Sequence, residues 1–421
     1  MFRLCSKIRL YPTAAQETIL FETLATCCDV YNSLLNWREV AWVTERKCVS
    51  RYEQQAALPV WKKQIDAEGN LLHPELRSVF SQVLQDVVHR VDLAYSTFFK
   101  RLADRKAKGL IKEGKKSPGK PRNKGYGHYD SFTYTQLGFT AGEASITLSK
   151  IGEIRAIVHR TIEGDLKTCT IRRYGQKWYA CLCYEVETQP LPQSQEQVGI
   201  DVGLEKFAAC SNGELIANPR FYRQEQKALA KAQRKLSKKK RGTRAHRKAR
   251  KVVGRIHERI RNRRYDFVHK LARQLVNRYG LIAVEKLDEK NMMARPEPKS
   301  DEVPPRQFLQ KGAAVKSSRN KSIGDAAWCF FRRVLLEKAA RAARQVVEIN
   351  PAYTSQDCSR CGYRPEKEHR KQLSDRRHNC PICGLHLDRD INATINILKA
   401  ALQILEINTA VGQHCLASLS A

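Results

Sequence analysis

Acidic side chains are scarce in this sequence: 43 Asp and Glu stand against 76 Lys and Arg over 421 residues, a formal net charge of +33. Long apolar runs are missing as well. Nothing approaches the ~18 consecutive apolar residues of a membrane span, and the opening Met1–Lys7 has no apolar stretch behind its charges, which argues against a signal peptide. Disorder of the whole chain is excluded by what is present, since 42% hydrophobic and 8% aromatic residues suffice to bury a core. The length corresponds to about three domains. A folded chain so poor in acid needs a polyanionic partner, and nucleic acid is the default. An anionic membrane surface fits less well, because no basic amphipathic helix stands alone at a terminus.

The positive charge is concentrated. Residues 231–264 hold 17 Lys or Arg and the single acid Glu258, a net of +16, and residues 101–124 hold ten bases and two acids, a net of +8. A solvated helix face is the ordinary explanation of such a run. Here both runs are internal and flanked by apolar periodic sequence. The longer one carries Leu236, Val252, Val253, Ile256 and Ile260 at helical spacings, as expected of a long helix, or a helical pair broken near Gly242, with one anchoring face. Lys238, Lys239, Lys240 and Arg241 are its densest stretch and candidate phosphate contacts.

Four of the 14 cysteines form two knuckles, Cys358-x-x-Cys361 and Cys380-x-x-Cys383, with 18 residues between them. Zn²⁺ takes four thiolates in a tetrahedron, and a two-residue spacer turns both thiols of a knuckle toward one point. Gly362 and Gly384 follow the knuckles, where the turn favours a residue without Cβ. The spacing predicts one structural Zn²⁺ with no open coordination position. The other ten cysteines show no pairing pattern and fit buried thiols in a reducing cytoplasm.

Patterns along the chain divide it. Residues 2–10 read as a strand, 13–47 and about 74–106 as helices, 107–128 as a basic connector, and 129–188 as a small antiparallel sheet or barrel. A Pro- and Gln-rich linker at 189–196 leads into an α/β domain that carries the zinc ribbon. Within that domain a few acids sit where strands end or helices begin. Asp201 lies on Val198–Gly203, Glu285 closes Leu281–Glu285, and Asp388 and Asp390 open a helix after the ribbon. A salt bridge explains any one of them. Three carboxylates converging beside a basic channel would hold two Mg²⁺ ions about 4 Å apart, the arrangement that hydrolyses phosphodiesters.

These motifs, in this order, resemble the TnpB (OrfB) nucleases of insertion-sequence transposons, relatives of the type V CRISPR effectors. The residues that carry the resemblance are Gly199–Leu204, Val284–Leu287 with Asn291, and Cys358…Cys383 running into Asp388–Ala393. The openings Arg9–Thr13 and Tyr31-Asn32, the helix around Gln85, and the basic segment through Arg264–Phe267 extend it over nearly the whole chain. The resemblance implies an RNA-guided DNA endonuclease, a prokaryotic, cytoplasmic, nucleoid-associated protein that binds guide RNA and a DNA target and leaves the membrane alone. Its catalytic acids would be Asp201, Glu285 and Asp390, with Asp388 a less essential neighbour. The implied architecture is multidomain α/β. A wedge β-barrel would comprise 1–12 and 129–190, with a helical recognition lobe at 13–106, a connector at 107–128, an RNase H-like RuvC domain at 197–353 and 385–421, and the zinc ribbon at 354–384. Tyr52, Gln85 and residues near Thr135-Gln136 would read a short motif beside the target, and Arg264 would contact nucleic acid.

Ser81, Gln82 and Ala56 stand where the family has other motif-reading side chains, Thr394 replaces the usual Ala, and the link 294–320 is longer than usual. Two other functions share parts of this pattern: a non-cleaving RNA-guided repressor, and an unguided zinc-ribbon nucleic-acid-binding protein. The first need not keep all three acids, and the second does not account for them. The oligomeric state is left open by the sequence.

Overall fold

Alternation at the start of the chain yields strand β1 (Phe2–Tyr11), with Ile8 and Leu10 buried and Cys5 and Lys7 exposed. Pro12 interrupts it. Thr13 then starts helix α1 (Ala14–Glu45), its hydroxyl accepting from the Gln16 N–H while the Gln16 side chain accepts from the Thr13 N–H, a capping box. The structure is a computed structural model and describes residues 2–107, 109, 119–159, 164–187, 190–294, 305–372 and 375–419. Parts of the basic connector (108 and 110–118) and of the 294–320 link (295–304) lie outside the described residues. Two compact units make up the chain, Met1–Glu187 and Thr188–Ala421. Among the described residues no helix is long and apolar enough to cross a membrane.

The first unit continues with α2 (Arg51–Trp61), α3 (Glu75–Ser78) and α4 (Ser81–Ala107), then β2 (Ser131–Tyr134), β3 (Phe139–Ala141), β4 (Ser145–Leu148), β5 (Gly152–Ile157), β6 (Asp165–Tyr174) and β7 (Lys177–Val186). The helix expected over about 74–106 is broken. Val79 is extended and buried between α3 and α4, and Phe80 stacks on Tyr134 with ring centroids 5.7 Å apart. The gain from seating these apolar side chains offsets one interrupted helical turn. The seven strands form one antiparallel sheet in the order β2-β6-β7-β1-β5-β4-β3. Its ends approach each other, with the Tyr134 hydroxyl donating to the Ser149 carbonyl at 2.9 Å. Among the described residues β2 and β3 do not pair, so the ladder stays open. One core, from Leu20 and Leu34 of α1 through Leu84 and Val88 of α4 to Phe132, Ile154 and Trp178 of the sheet, joins helices and strands.

The second unit contains β8 (Gln197–Val202), β9 (Lys206–Cys210), β10 (Leu215–Ala217), α5 (Phe221–Ser237), α6 (Arg244–Arg278), β11 (Leu281–Glu285), α7 (Glu289–Met293), α8 (Pro305–Ala326), α9 (Trp328–Arg341), β12 (Gln345–Ile349), β13 (Arg377–Asn379), β14 (His386–Asp388) and α10 (Arg389–Leu419). Its main sheet runs β10-β9-β8-β11-β12, with β8, β11 and β12 parallel and β9 and β10 antiparallel. The turn between β9 and β10 contains Asn212 and Gly213, the latter at φ +88, as an Asn-Gly pair favours. The basic run is a helical pair broken at Gly242 (φ +85). Thr243 caps α6 through the His246 N–H, and Leu229, Ala232, Ile256 and Ile260 zip α5 to α6. The molecule is thus a mixed α/β protein with a four-cysteine cluster.

Candidate active site

Period-two alternation sorts the main sheet of the second unit into two faces. Val198 and Ile200 of β8 and Ile282 and Val284 of β11 pack with Val268, Leu275, Phe331 and Leu335 of α6 and α9. The intervening residues, Gly199 and Asp201 on β8 and Ala283 and Glu285 on β11, therefore belong to the opposite face, where Ala283 packs with Ile349, Ile397 and Ala401. Parallel pairing sets Gly199 against Ala283 and Ile200 against Val284. One residue further on, Asp201 and Glu285 lie side by side at the ends of neighbouring strands.

Helix α10 brings the third acid. It crosses β8 so closely that a Cβ on Gly199 would overlap the Thr394 carbonyl oxygen and lie 2.9 Å from the Leu398 nitrogen. Both obstacles are backbone and cannot rotate away. Gly199→Ala is expected to cost about 3 kcal/mol, the upper end for overpacking. That would lower the melting temperature by roughly 6–12 °C, and thermal unfolding of the variant checks it. The first turn of α10 holds Asp390. Asp388 caps this turn, its Oδ1 accepting from the Asp390 and Ile391 N–H groups at 2.8 and 3.3 Å. Thr394 is fully buried and bonds back to the Ile391 carbonyl.

The ribbon fixes this helix in place. Cys358, Cys361, Cys380 and Cys383 lie with their sulfurs all within 4.8 Å of one another. Sγ–Sγ separations are 3.6 Å for Cys358–Cys383 and 3.5 Å for Cys361–Cys380. A Zn²⁺ at ~2.3 Å from each sulfur in a tetrahedron requires about 3.8 Å, so the cage fits the ion. In each knuckle the glycine N–H donates to the carbonyl of the first cysteine, with Gly362 at φ +74 and Gly384 at φ +69, a left-handed turn that glycine adopts without strain. Burial raises the Cys380 thiol, but the N–H groups of Cys383 and Ile382 and the neighbouring thiols hold it down to about 6. Behind the knuckle, the Ser359 N–H donates to Asn392 Oδ1 of α10, and Asn392 and Asn396 both donate to the Asp357 carbonyl. Lys399 Nζ reaches the Ser359 carbonyl at 2.6 Å.

One ribbon-side residue also touches an acid: the Thr354 hydroxyl donates to Glu285 Oε1 at 2.5 Å. All three carboxylates are held above the usual range, each for its own reasons. Burial and the charges of Glu285 and Asp390 hold Asp201 well above the usual carboxylate range, against the opposing pull of Arg389 and the Val202 N–H. Burial raises Glu285, partly countered by Thr354. Burial and the Asp388 charge raise Asp390, while Arg376 and Arg389 pull it down. Crowded carboxylates resisting ionisation are a hard-oxygen donor set short of positive charge, the condition that a divalent cation relieves. Among the described residues the carboxylate oxygens are not gathered as tightly as the cysteine sulfurs.

The expected nucleic-acid contacts are placed differently. Lys238, Lys239, Lys240 and Arg241 are all exposed at the tip of the α5–α6 pair. Tyr52 is 79% exposed on α2, and Gln85 is exposed on α4. Near it, Gln82 accepts from the Gln136 and Leu137 N–H groups, tying α4 to the β2–β3 turn. Arg264 is turned inward, 2.9 Å from the buried carboxylate of Asp325, which also accepts from the Tyr222 and Arg223 N–H groups. Sequence reasoning missed Thr354 and Asn396, and it gave no role to Asn392 and Asp325, although these lie in the motif segments 388–393 and 322–328. Their partners stand 33 to 103 residues away, so no local pattern shows what they hold.

Residues 181–295 match the OrfB_IS605 family model, described as "Probable transposase". Residues 328–397 match the "Cas12f1-like, TNB domain" model. Residues 1–47 match a "Helix-turn-helix domain" model, although in this structure they are one strand and one helix. A "Putative RNA-guided DNA endonuclease" of Streptomyces pristinaespiralis is 33% identical over 94% of this chain and 89% of its own length. The "Putative RNA-guided DNA endonuclease InsQ" of Escherichia coli (strain K12) is 29% identical over 95% of this chain and 92% of its own. The "TnpB-like protein L79" of Acanthamoeba polyphaga mimivirus is 22% identical over 94% and 73%. With three family segments in order and a third of its residues shared with a full-length relative, the chain belongs to the OrfB/TnpB family.

Proposed function

We propose that this protein is an RNA-guided DNA endonuclease that hydrolyses phosphodiester bonds at Asp201, Glu285 and Asp390. The observation that carries the reading is a convergence of acids: two adjacent parallel strands end in carboxylates on one sheet face, and the first turn of α10 meets that face with a third. In this reading the second unit is a RuvC-type nuclease, with 197–353 and 385–421 as its body and 354–384 as its zinc ribbon. The first unit provides the wedge (1–12 and 129–190) and the recognition lobe (13–106). Tyr52 and Gln85 are candidates for reading the target-adjacent motif, and Lys238–Arg241 for gripping phosphate.

Two Mg²⁺ ions held by the three carboxylates would supply the charge that activates water and stabilises the leaving oxygen. The chain's own groups set that stage. Thr354 holds one Glu285 oxygen so that the carboxylate keeps one orientation, Asp388 fixes the turn that presents Asp390, and burial raises the affinity of the site for positive charge. The four cysteines would hold one Zn²⁺, which anchors Asn392 and through it α10. Basic side chains grip phosphates without reading sequence, so specificity falls to a guide RNA that pairs with the target strand.

The test begins with the RNA that co-purifies with the protein. It should be one discrete species. DNA matching its variable end, flanked by randomised bases, should be cut only with Mg²⁺ and only beside a short preferred motif. Heterogeneous RNA and no cleavage would favour the unguided zinc-ribbon reading. A discrete RNA with tight target binding but no cleavage would favour the repressor.

A further inference from the structure

A groove of about 780 Å³ in the second unit opens beside the acids and uses none of them. Its lining includes Glu205, Arg220, Arg223, Asp325 and Arg376. The chain itself fixes how near it lies to the site. Glu205 follows Asp201 by four residues in the β8–β9 turn, and the Arg376 carbonyl accepts from the N–H of Arg389, the residue before Asp390.

The charge of the groove is unbalanced. Three guanidinium groups face two carboxylates, and one of these, Asp325, is already neutralised by Arg264. The Arg223 guanidinium meets neutral acceptors, the hydroxyls of Ser318 and Ser322 and the Gln226 amide, and among the described residues it has no carboxylate ion pair. Arg376 pairs with Glu205 at 2.7 Å, with both side chains more than half exposed. An exposed pair of this kind contributes little and exchanges readily for a stronger anion. Arg220 has no carboxylate partner among the described residues. Its Nη2 reaches only the Leu204 and Glu205 carbonyls, at 3.4 and 3.5 Å. Its backbone is left-handed at φ 48, ψ 48, a strained conformation for a non-glycine residue and one that gathers at ligand-binding positions.

We infer that Arg220 and Arg376 bind the phosphate next to the bond to be cut, with Arg223 adding charge from the groove wall, and so lay the DNA strand across the acid cluster. Guanidinium forks suit phosphate oxygens, and two of them at the edge of the site fix the strand's register without reading its bases. The inference rests on the nuclease reading proposed above.

The experiment compares the full-length protein carrying its RNA with the Arg220→Gln/Arg376→Gln double variant and an Arg220→Lys/Arg376→Lys control. In the binding arm, a short fluorescent single-stranded oligodeoxynucleotide is titrated over a range of salt concentrations. Loss of two phosphate contacts should flatten the slope of log affinity against log salt by about 1.4, and the lysine control should retain it. In the cleavage arm, KM for single-stranded DNA should rise about tenfold in the glutamine variant with kcat within about twofold, since the lost contact is made equally before and during reaction. An unchanged slope overturns the inference. If the wild-type protein cuts nothing, the nuclease reading fails and the slope still decides whether the groove binds phosphate. If the glutamine variant melts far below wild type, the lysine control decides: retention of slope and KM supports a phosphate clamp, and their loss in a stably folded control overturns it.

Discussion

Asp201→Asn is expected to abolish DNA cleavage and at the same time to stabilise the metal-free protein at neutral pH. Cleavage should fall by about a thousandfold or more, because residues that act as one catalytic unit cost nearly the whole rate when one is lost. Guide-RNA binding should persist, since the substitution leaves every Lys and Arg of the two basic runs in place. The stability gain follows from the sign of the shift. Burial and the charges of Glu285 and Asp390 hold the Asp201 carboxyl above its unfolded value. Between those two values the folded chain binds the extra proton, so stability is fully present at acid pH and is lost as pH rises through the folded value. At neutral pH the metal-free protein carries that penalty, and the amide removes it.

Melting curves with and without Mg²⁺ read the effect directly. The wild type should melt lower as pH rises from acid to neutral without metal, and should regain stability when Mg²⁺ binds the native state. The variant should show a weaker pH response and little gain from Mg²⁺. A variant that still cuts DNA, or one whose melting temperature rises with Mg²⁺ as much as the wild type's, would remove Asp201 from the metal site.

Replacing Cys380 by Ser is the second large effect. Metal analysis of the wild type should give about one Zn per chain, lost in the variant, and zinc-dependent folding in small ribbons is worth ~10 kcal/mol or more at neutral pH. The consequence reaches beyond the ribbon. Ser359 and Asp357 hold the knuckle to Asn392, Asn396 and Lys399 of α10, and Thr354 holds Glu285 from the same segment. Without zinc, Asp390 and Glu285 lose their supports together. Cleavage is expected to drop about 10- to 100-fold, as it does when supporting contacts around a metal centre are lost. Limited proteolysis should open new sites around the two cysteine knuckles while the helices α1, α2 and α4 and the seven-stranded sheet of the first unit stay resistant. Strong chelation of the wild type should reproduce the pattern. If cleavage survives in zinc-free protein, the ribbon is not what positions α10.

Several parts of this arrangement are legible in the amino-acid sequence alone. The two knuckles declare themselves because ligand spacing in a CxxC turn is a local property, set by a few bonds. The break at Gly242 and the exposed tip at 238–241 follow from a helical pattern interrupted by a glycine. Helix α2 escapes a reading by apolar periodicity although another signal is present: Ser50 and Glu53 form a capping box three residues apart. The break at Val79 leaves no local mark, because it depends on Phe80 meeting Tyr134 across 54 positions. The same holds for Arg264, whose place in a basic segment resembles a nucleic-acid contact, whereas Asp325, 61 residues away, draws it inward.

The sequence by itself determined the charge, the cysteine cage and which residues alternate with which along each strand. It placed Asp201 and Glu285 at strand ends because a period of two is a property of one extended chain. Which strands lie side by side, and which helix covers them, was decided only in the tertiary structure. β8 and β11 are joined through more than 70 intervening residues, and α10 finds its seat because Gly199 and Ala283 leave no side chain large enough to keep it away. Backbone periodicity is local and can be read one segment at a time. Close packing satisfies many distant partners at once, and it is packing that brought three separated acids to the same face of the sheet.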